Sequence, residues 1–264
     1  MLNKFLLYIV FSIISFFQLK NSHDFEQYVL QIEQLENLRS FGPLSSYSLF
    51  LEYIILFLEN AEYFVFLLWF FNWFSIFLLI TNKKFNFWFL LNYLILFSYL
   101  WHSNQLRQGI IMPIFILYYF KVLNNEINYK KFSIIAFFLS IWHLASLALY
   151  SFFIKIKLHY LIIPSLIFSA YMDGQNTLLN LSSVSVLLLI LVSLKKKSSS
   201  TNLVVFFYII FLVFRPFSPV ISSRMLELSL LSIPFLFINK CSINYKISFT
   251  FLSIIIMLNN INYF

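Results

Sequence analysis

Glycine is almost missing from this chain, with three in 264 residues. The glycine-rich turns that cradle phosphates and dinucleotides are thereby excluded, because they need glycines at fixed spacing to bring backbone N–H groups against the ligand. Cysteine is scarcer still. Cys241 stands alone, so there is neither a disulfide framework nor a thiolate cage for a metal. The four histidines, His23, His102, His143 and His159, are scattered without HxxxH or HExxH spacing. No metal and no other cofactor is expected from them. Charge is the last scarcity: 11% of residues are Asp, Glu, Lys or Arg, against about a quarter in a soluble domain.

Apolar side chains fill the gap, at 61% of residues with a mean hydropathy of +0.85. Such a chain cannot cover its own apolar surface with polar groups, so lipid is the expected solvent. The net charge of +8 does not form a nucleic-acid patch. Lys83-Lys84, Lys121 with Lys130-Lys131, and Lys195-Lys196-Lys197 punctuate the apolar runs, as cytoplasmic loops do under the positive-inside rule. No nucleic-acid partner is expected. Phe, Tyr and Trp make up 22% of residues, more than interface belts need, and are read as packing or lipid-facing groups.

A span takes roughly 20 apolar residues. The runs predict an all-α, polytopic transmembrane bundle of nine to ten spans, one integral membrane domain over residues 1–264. Spans are expected at about 5–17, 63–80, 85–100, 109–122, 132–153, 178–194, 202–214, 225–238 and 247–258. The first follows Lys4 and ends Phe17-Gln18-Leu19-Lys20 with no small-x-small cleavage site, so it reads as an uncleaved anchor. An outer loop at 20–60 carries an interfacial helix. The stretch 158–170 is short, contains Pro164, and reads as re-entrant or interfacial. An outer corner occupies 215–224.

Ionisable groups near lipid are costly and therefore informative. His102-Ser103-Asn104-Gln105-Leu106-Arg107-Gln108-Gly109 puts a guanidinium and several amides at the outer mouth of the fourth span. Arg107 runs against the scarcity of arginine in outer loops. His143 lies 12 positions past Lys131, about 18 Å along a helix, in the outer half of the bilayer. In the outer corner, Pro216 and Pro219 restrain the turn between Arg215 and Arg224. Arg224 is expected to open the next helix, where the N-terminal partial charge would favour an anion. Asp24 and Tyr28 follow the first span. Mid-membrane polar residues look nearly absent apart from His143. Three guanidiniums on the outer side would suit a diphosphate, which arginine binds bidentately.

Taken as a pattern, Asn104-Gln105-Leu106-Arg107-Gln108-Gly109-Ile110, a lysine-bearing loop, and His143-Leu144-Ala145-Ser146 resemble the EpsG/Wzy-type polysaccharide polymerases of O-antigen, capsule and exopolysaccharide synthesis. Asp24 and Tyr28 look like that family's Asp-x-x-x-Tyr element. Glu52 looks like its acidic residue before the second span, with Tyr53 where a proline is usual. Ser223-Arg224-Met225 is similar to its late-helix arginine, and Ala145 and Ser146 are interchanged relative to its histidine motif.

The resemblance implies a multi-pass protein of the bacterial inner membrane with its active site facing outside. It would join oligosaccharide repeat units carried on undecaprenyl diphosphate, with a lipid-linked donor and a lipid-linked acceptor. Arg107, His143 and Arg224 would be catalytic. Asp24, Tyr28, Glu52, Gln108 and Arg215 would bind substrate. A flippase and a chain-length regulator are the implied protein partners. The alternatives are an O-antigen ligase or other lipid-linked-sugar glycosyltransferase, and a transporter or flippase without chemistry.

Overall fold

The computed structural model describes residues 2–20, 61–99, 102–103, 105–128, 130–132, 161–173, 201–217, 219–237 and 242–261, with a few isolated positions besides. Among these residues the regular structure is helical, with no strand. The helices are α1 (Leu2–Leu19), α2 (Ala61–Thr81), α3 (Phe87–Tyr99), α4 (Leu106–Leu123), α5 (Ile162–Asp173), α6 (Thr201–Phe214), α7 (Pro219–Ser229), α8 (Ser232–Leu236) and α9 (Ile243–Ile261). The expected all-α class therefore stands. The spans expected at 132–153 and 178–194 lie almost wholly outside the described residues, as does most of the loop at 20–60.

Local chemistry explains where the helices begin and end. Asn86 caps α3: its side-chain oxygen accepts from the Phe89 N–H at 2.9 Å, and its amide nitrogen donates to the Phe237 carbonyl at the end of α8. At the end of α4, Asn125 adopts φ 57°. The Glu126 N–H reaches the Lys121 carbonyl (2.8 Å) and the Asn125 N–H reaches that of Val122 (2.9 Å). That is a Schellman termination with asparagine in the left-handed position. It turns the chain so that Glu126 pairs with Lys84 at the foot of α2.

Proline has three different outcomes. Pro164 falls in the first turn of α5, where a missing N–H costs nothing, so it does not break the segment. The 12 residues of α5 extend about 18 Å, short of a bilayer core of about 30 Å. Pro113 sits inside α4 and leaves the Gly109 carbonyl without its usual partner. The Ser75 hydroxyl of α2, whose shorter bond runs to the Asn72 carbonyl of its own helix (2.6 Å), lies 3.3 Å from that oxygen. Glycine at 109 presents no side chain there, so α2 and α4 can approach closely. Pro234 breaks its helix. With no N–H for the Leu230 carbonyl, that oxygen accepts from Ile233 instead (3.1 Å). The single span expected at 225–238 is in fact α7 and α8, and α7 starts earlier, at Pro219. Proline is well suited to a helix start.

Helices α2 and α4 pack as a pair, as do α6 and α7, while α3 contacts α1, α8 and α9. Phe235 of α8 is the wedge, its ring stacked on Phe89 (6.4 Å) and Tyr119 (6.2 Å). One end of the bundle gathers Lys4, Asn82, Lys84, Phe85 and Glu126 through direct bonds. Away from that end Ser15 bonds the His102 carbonyl, and Asn72, midway along α2, bonds the Leu106 carbonyl.

Two helices, Leu2–Leu19 and Glu62–Thr81, are long and apolar enough to cross a membrane, and further apolar helices run 10–17 residues. A core helix of a soluble protein or a signal sequence would meet the same two criteria. The arrangement of side chains adds to this. Leu2, Leu6, Phe17, Phe70, Phe74, Ile247 and Phe251 face outward, while Ser15, Asn72, Asn92, His102 and Ser253 are buried. Polar inside and apolar outside suits a lipid surround.

Candidate functional site

The amide-rich block at 102–109 is the turn between α3 and α4, and it is not an open loop. His102 and Ser103 have no exposed surface. Their burial is made tolerable by a bond for each polar group. Asn72 of α2 donates its amide nitrogen to the Leu106 carbonyl at 3.1 Å, which leaves its oxygen to face the Nδ1 of His102. Asn72 therefore accepts, Nδ1 carries the proton, and Nε2 is left to accept from the Tyr93 hydroxyl at 3.2 Å. The imidazole is a neutral tautomer set by its neighbours. Burial pushes its pKa down to about 3. The His102 carbonyl accepts from Ser15 (2.8 Å), and Ser15 Oγ lies 3.1 Å from the indole nitrogens of both Trp69 and Trp73. This network ties α1, α2 and α3 to the start of α4. It anchors the turn and is not a proton shuttle near neutral pH.

Just beyond the anchor the chemistry changes. Gln105 occupies the N-cap of α4 without capping it through its side chain. Its amide nitrogen lies instead 3.4 Å from the Glu227 carboxylate of α7. Gln105, Gln108 and Glu227 are 7%, 2% and 9% exposed. Gln105 Oε1 and both polar atoms of Gln108 are buried without a hydrogen-bond partner.

The predicted residues fall unevenly around this contact. Arg107 is the second residue of α4, two positions past Gln105. Arg224 is on α7, three positions before Glu227 and so on the same helix face. The side chains of both arginines lie outside what is described. The Gln105–Glu227 contact thus brings together the two helices that carry them. Arg215 ends α6, its guanidinium 5.4 Å from the centre of the Phe211 ring, and α6 packs on α7. Asp24, Tyr28, Glu52 and His143 lie outside the described residues.

Two sequence expectations need correction. Arg224 does not open its helix. Because α7 begins at Pro219, Arg224 lies in the second turn, where the N-terminal partial charge has faded. Nor are polar groups nearly absent along the apolar helices. Asn72 and Asn92 are fully buried, and Asn92 is held by Thr250 (3.1 Å) and Ser253 (2.7 Å) of α9. Glu227 carries its own signal in the sequence, a carboxylate inside an apolar run. Among the described residues no three His, Cys, Asp or Glu side chains come together as a metal site.

No protein-family model, curated protein or solved structure matches this chain.

Proposed function

We propose that the chain is a multi-pass membrane glycosyltransferase that polymerises undecaprenyl-diphosphate-linked repeat units at the outer face of the bacterial inner membrane. An acceptor sugar hydroxyl attacks the anomeric carbon of the donor. The carbon–oxygen bond to the diphosphate breaks, and the lipid diphosphate departs with the electron pair. His143, or in second place Asp24, takes the hydroxyl proton. Arg107 and Arg224, with Arg215 in reserve, stabilise the charge that develops on the leaving group.

The observation that supports this reading is the Gln105–Glu227 contact at 3.4 Å. It joins the start of the Arg107 helix to the Arg224 helix, away from the Lys4 and Lys84 end of the bundle. On this reading the lysine end is cytoplasmic by the positive-inside rule, and the arginine helices meet on the far side of it. The family resemblance of the Arg107-Gln108 block supplies the reaction class. A ligase would share this donor chemistry.

A transporter is the second reading, favoured by the break between α7 and α8 beside buried Glu227. Discontinuous helices with polar groups at depth are how transporters build their sites. The glycan profile of a strain lacking the gene separates the two. Loss of a polymerase leaves surface glycan one repeat unit long, whereas loss of a flippase leaves none at the surface. Normal long chains would end both readings.

A further inference from the structure

Three orphaned amide atoms within one helical turn are the unexplained feature among the described residues. Buried polar atoms are bonded in more than about 90% of cases, and each unmet one costs roughly 1–3 kcal/mol. Elsewhere in the described core the rule holds: Ser15, Asn72, Ser75, Asn92, His102, Ser103 and Ser253 all have partners. Among the described residues, the buried side-chain atoms without a partner are Gln105 Oε1, Gln108 Oε1 and Gln108 Nε2. They sit at the start of α4, whose N-cap residue Gln105 does not cap it through its side chain.

The geometry points to a subsite for a neutral, hydroxyl-rich ligand, a sugar ring, held by the amides of Gln105 and Gln108 and the Glu227 carboxylate. The ligand class follows from the mixture of atoms. Gln108 Nε2 donates, while Gln105 Oε1, Gln108 Oε1 and the carboxylate accept. A hydroxyl does both, so vicinal hydroxyls match such a set. A phosphate only accepts, so it leaves the Gln105 and Gln108 oxygens unmet. A cation would meet the positive end of the helix. The Gln108 amide breaks no hydrogen bond when it turns to a ligand. The inference deepens the transferase reading, on which it rests for which sugar arrives. It separates a sugar-holding group of residues from the arginines assigned to the diphosphate.

The test uses the full-length protein in detergent and follows thermal unfolding of wild type and Gln108→Met, which keeps volume and removes the amide. The probes are methyl glycosides of glucose, galactose, mannose and N-acetylglucosamine, with inorganic pyrophosphate as the anion control. Without ligand the variant should melt higher, by roughly 2–6 °C, because an orphaned group is gone. At least one glycoside should raise the wild-type midpoint more than the variant's. That difference cancels the general stabilisation given by any excluded solute. A variant that melts lower overturns the proposal, since Gln108 would then serve the fold. Equal responses to every glycoside overturn it too, as does a differential response to pyrophosphate alone. Gln108→Leu repeats the measurement if Gln108→Met gives no protein. A glycoside-specific shift together with normal long chains in the deletion strain keeps the subsite and removes the transferase.

Discussion

Helix α3 is flanked by two turns of similar polarity and opposite fate. In the turn before it, Lys83 and Lys84 stand exposed, and Lys84 pairs with Glu126 at the surface. In the turn after it, His102 and Ser103 are wholly buried. The difference lies in what each group needs. An ammonium keeps water and holds its turn at the rim. A neutral imidazole, a hydroxyl and an amide can satisfy one another, so the second turn sinks between helices once Asn72, Tyr93 and Ser15 supply the bonds. One turn is held by solvent and the other by the bundle. On the proposed reading, that makes the second a rigid base for the start of α4 and for Arg107.

The largest expected contrast is functional. On the proposed reading, Arg107→Ala, beside the buried turn, should lower polymerisation roughly 10²–10³-fold, the range seen when one transition-state donor is removed. Lys83→Ala in the exposed turn should leave the glycan ladder unchanged at equal protein level. Equal losses at the two turns would dissolve the functional side of the comparison.

Stability sharpens the comparison next. Asn72→Ala removes the partner of the His102 Nδ1 and one donor to the Leu106 carbonyl. It should cost about 2–4 kcal/mol in chemical or thermal unfolding of the purified protein. A loss below about 0.5 kcal/mol would mean that water already reaches the turn.

Acid should act on the buried turn and spare the exposed one. The imidazole titrates near 6.5 when unfolded and near 3 when folded. Between those values the unfolded chain binds more protons, so stability rises with pH and falls as pH drops from about 6.5. The slope can reach about 1.4 kcal/mol per pH unit for one group. Wild type should lose stability between pH 7 and about 4.5 faster than His102→Gln. Parallel curves would show an imidazole that titrates in the ordinary range.

The smallest effect belongs to the surface pair. Lys84→Ala should change stability by less than about 0.5 kcal/mol, since both partners are more than a third exposed and water screens the attraction. A loss above about 1 kcal/mol would make the exposed turn a structural anchor as well.

Much of the fold was legible before any coordinates. The apolar runs at 63–80, 85–100 and 202–214 became α2, α3 and α6 within a few residues, because hydropathy along a run is a local property. The break after Ser229 was less accessible, although Pro234 marks it. Pro113 leaves α4 continuous whereas a break precedes Pro234, and which outcome follows depends on the packing around each proline. The start of α7 at Pro219 removed the helix-terminal role expected of Arg224. Of the candidate site, the Arg107-Gln108 block stood out for its polarity, yet its partner Glu227 lies 122 positions from Gln105.

By itself the sequence determined a largely apolar, helix-forming chain, since composition and run length act residue by residue. Tertiary structure alone decided that His102 is a neutral structural bond-maker and that Gln105 meets Glu227. Each of those outcomes depends on which distant side chain arrives within hydrogen-bonding distance. No periodicity along the chain encodes that meeting.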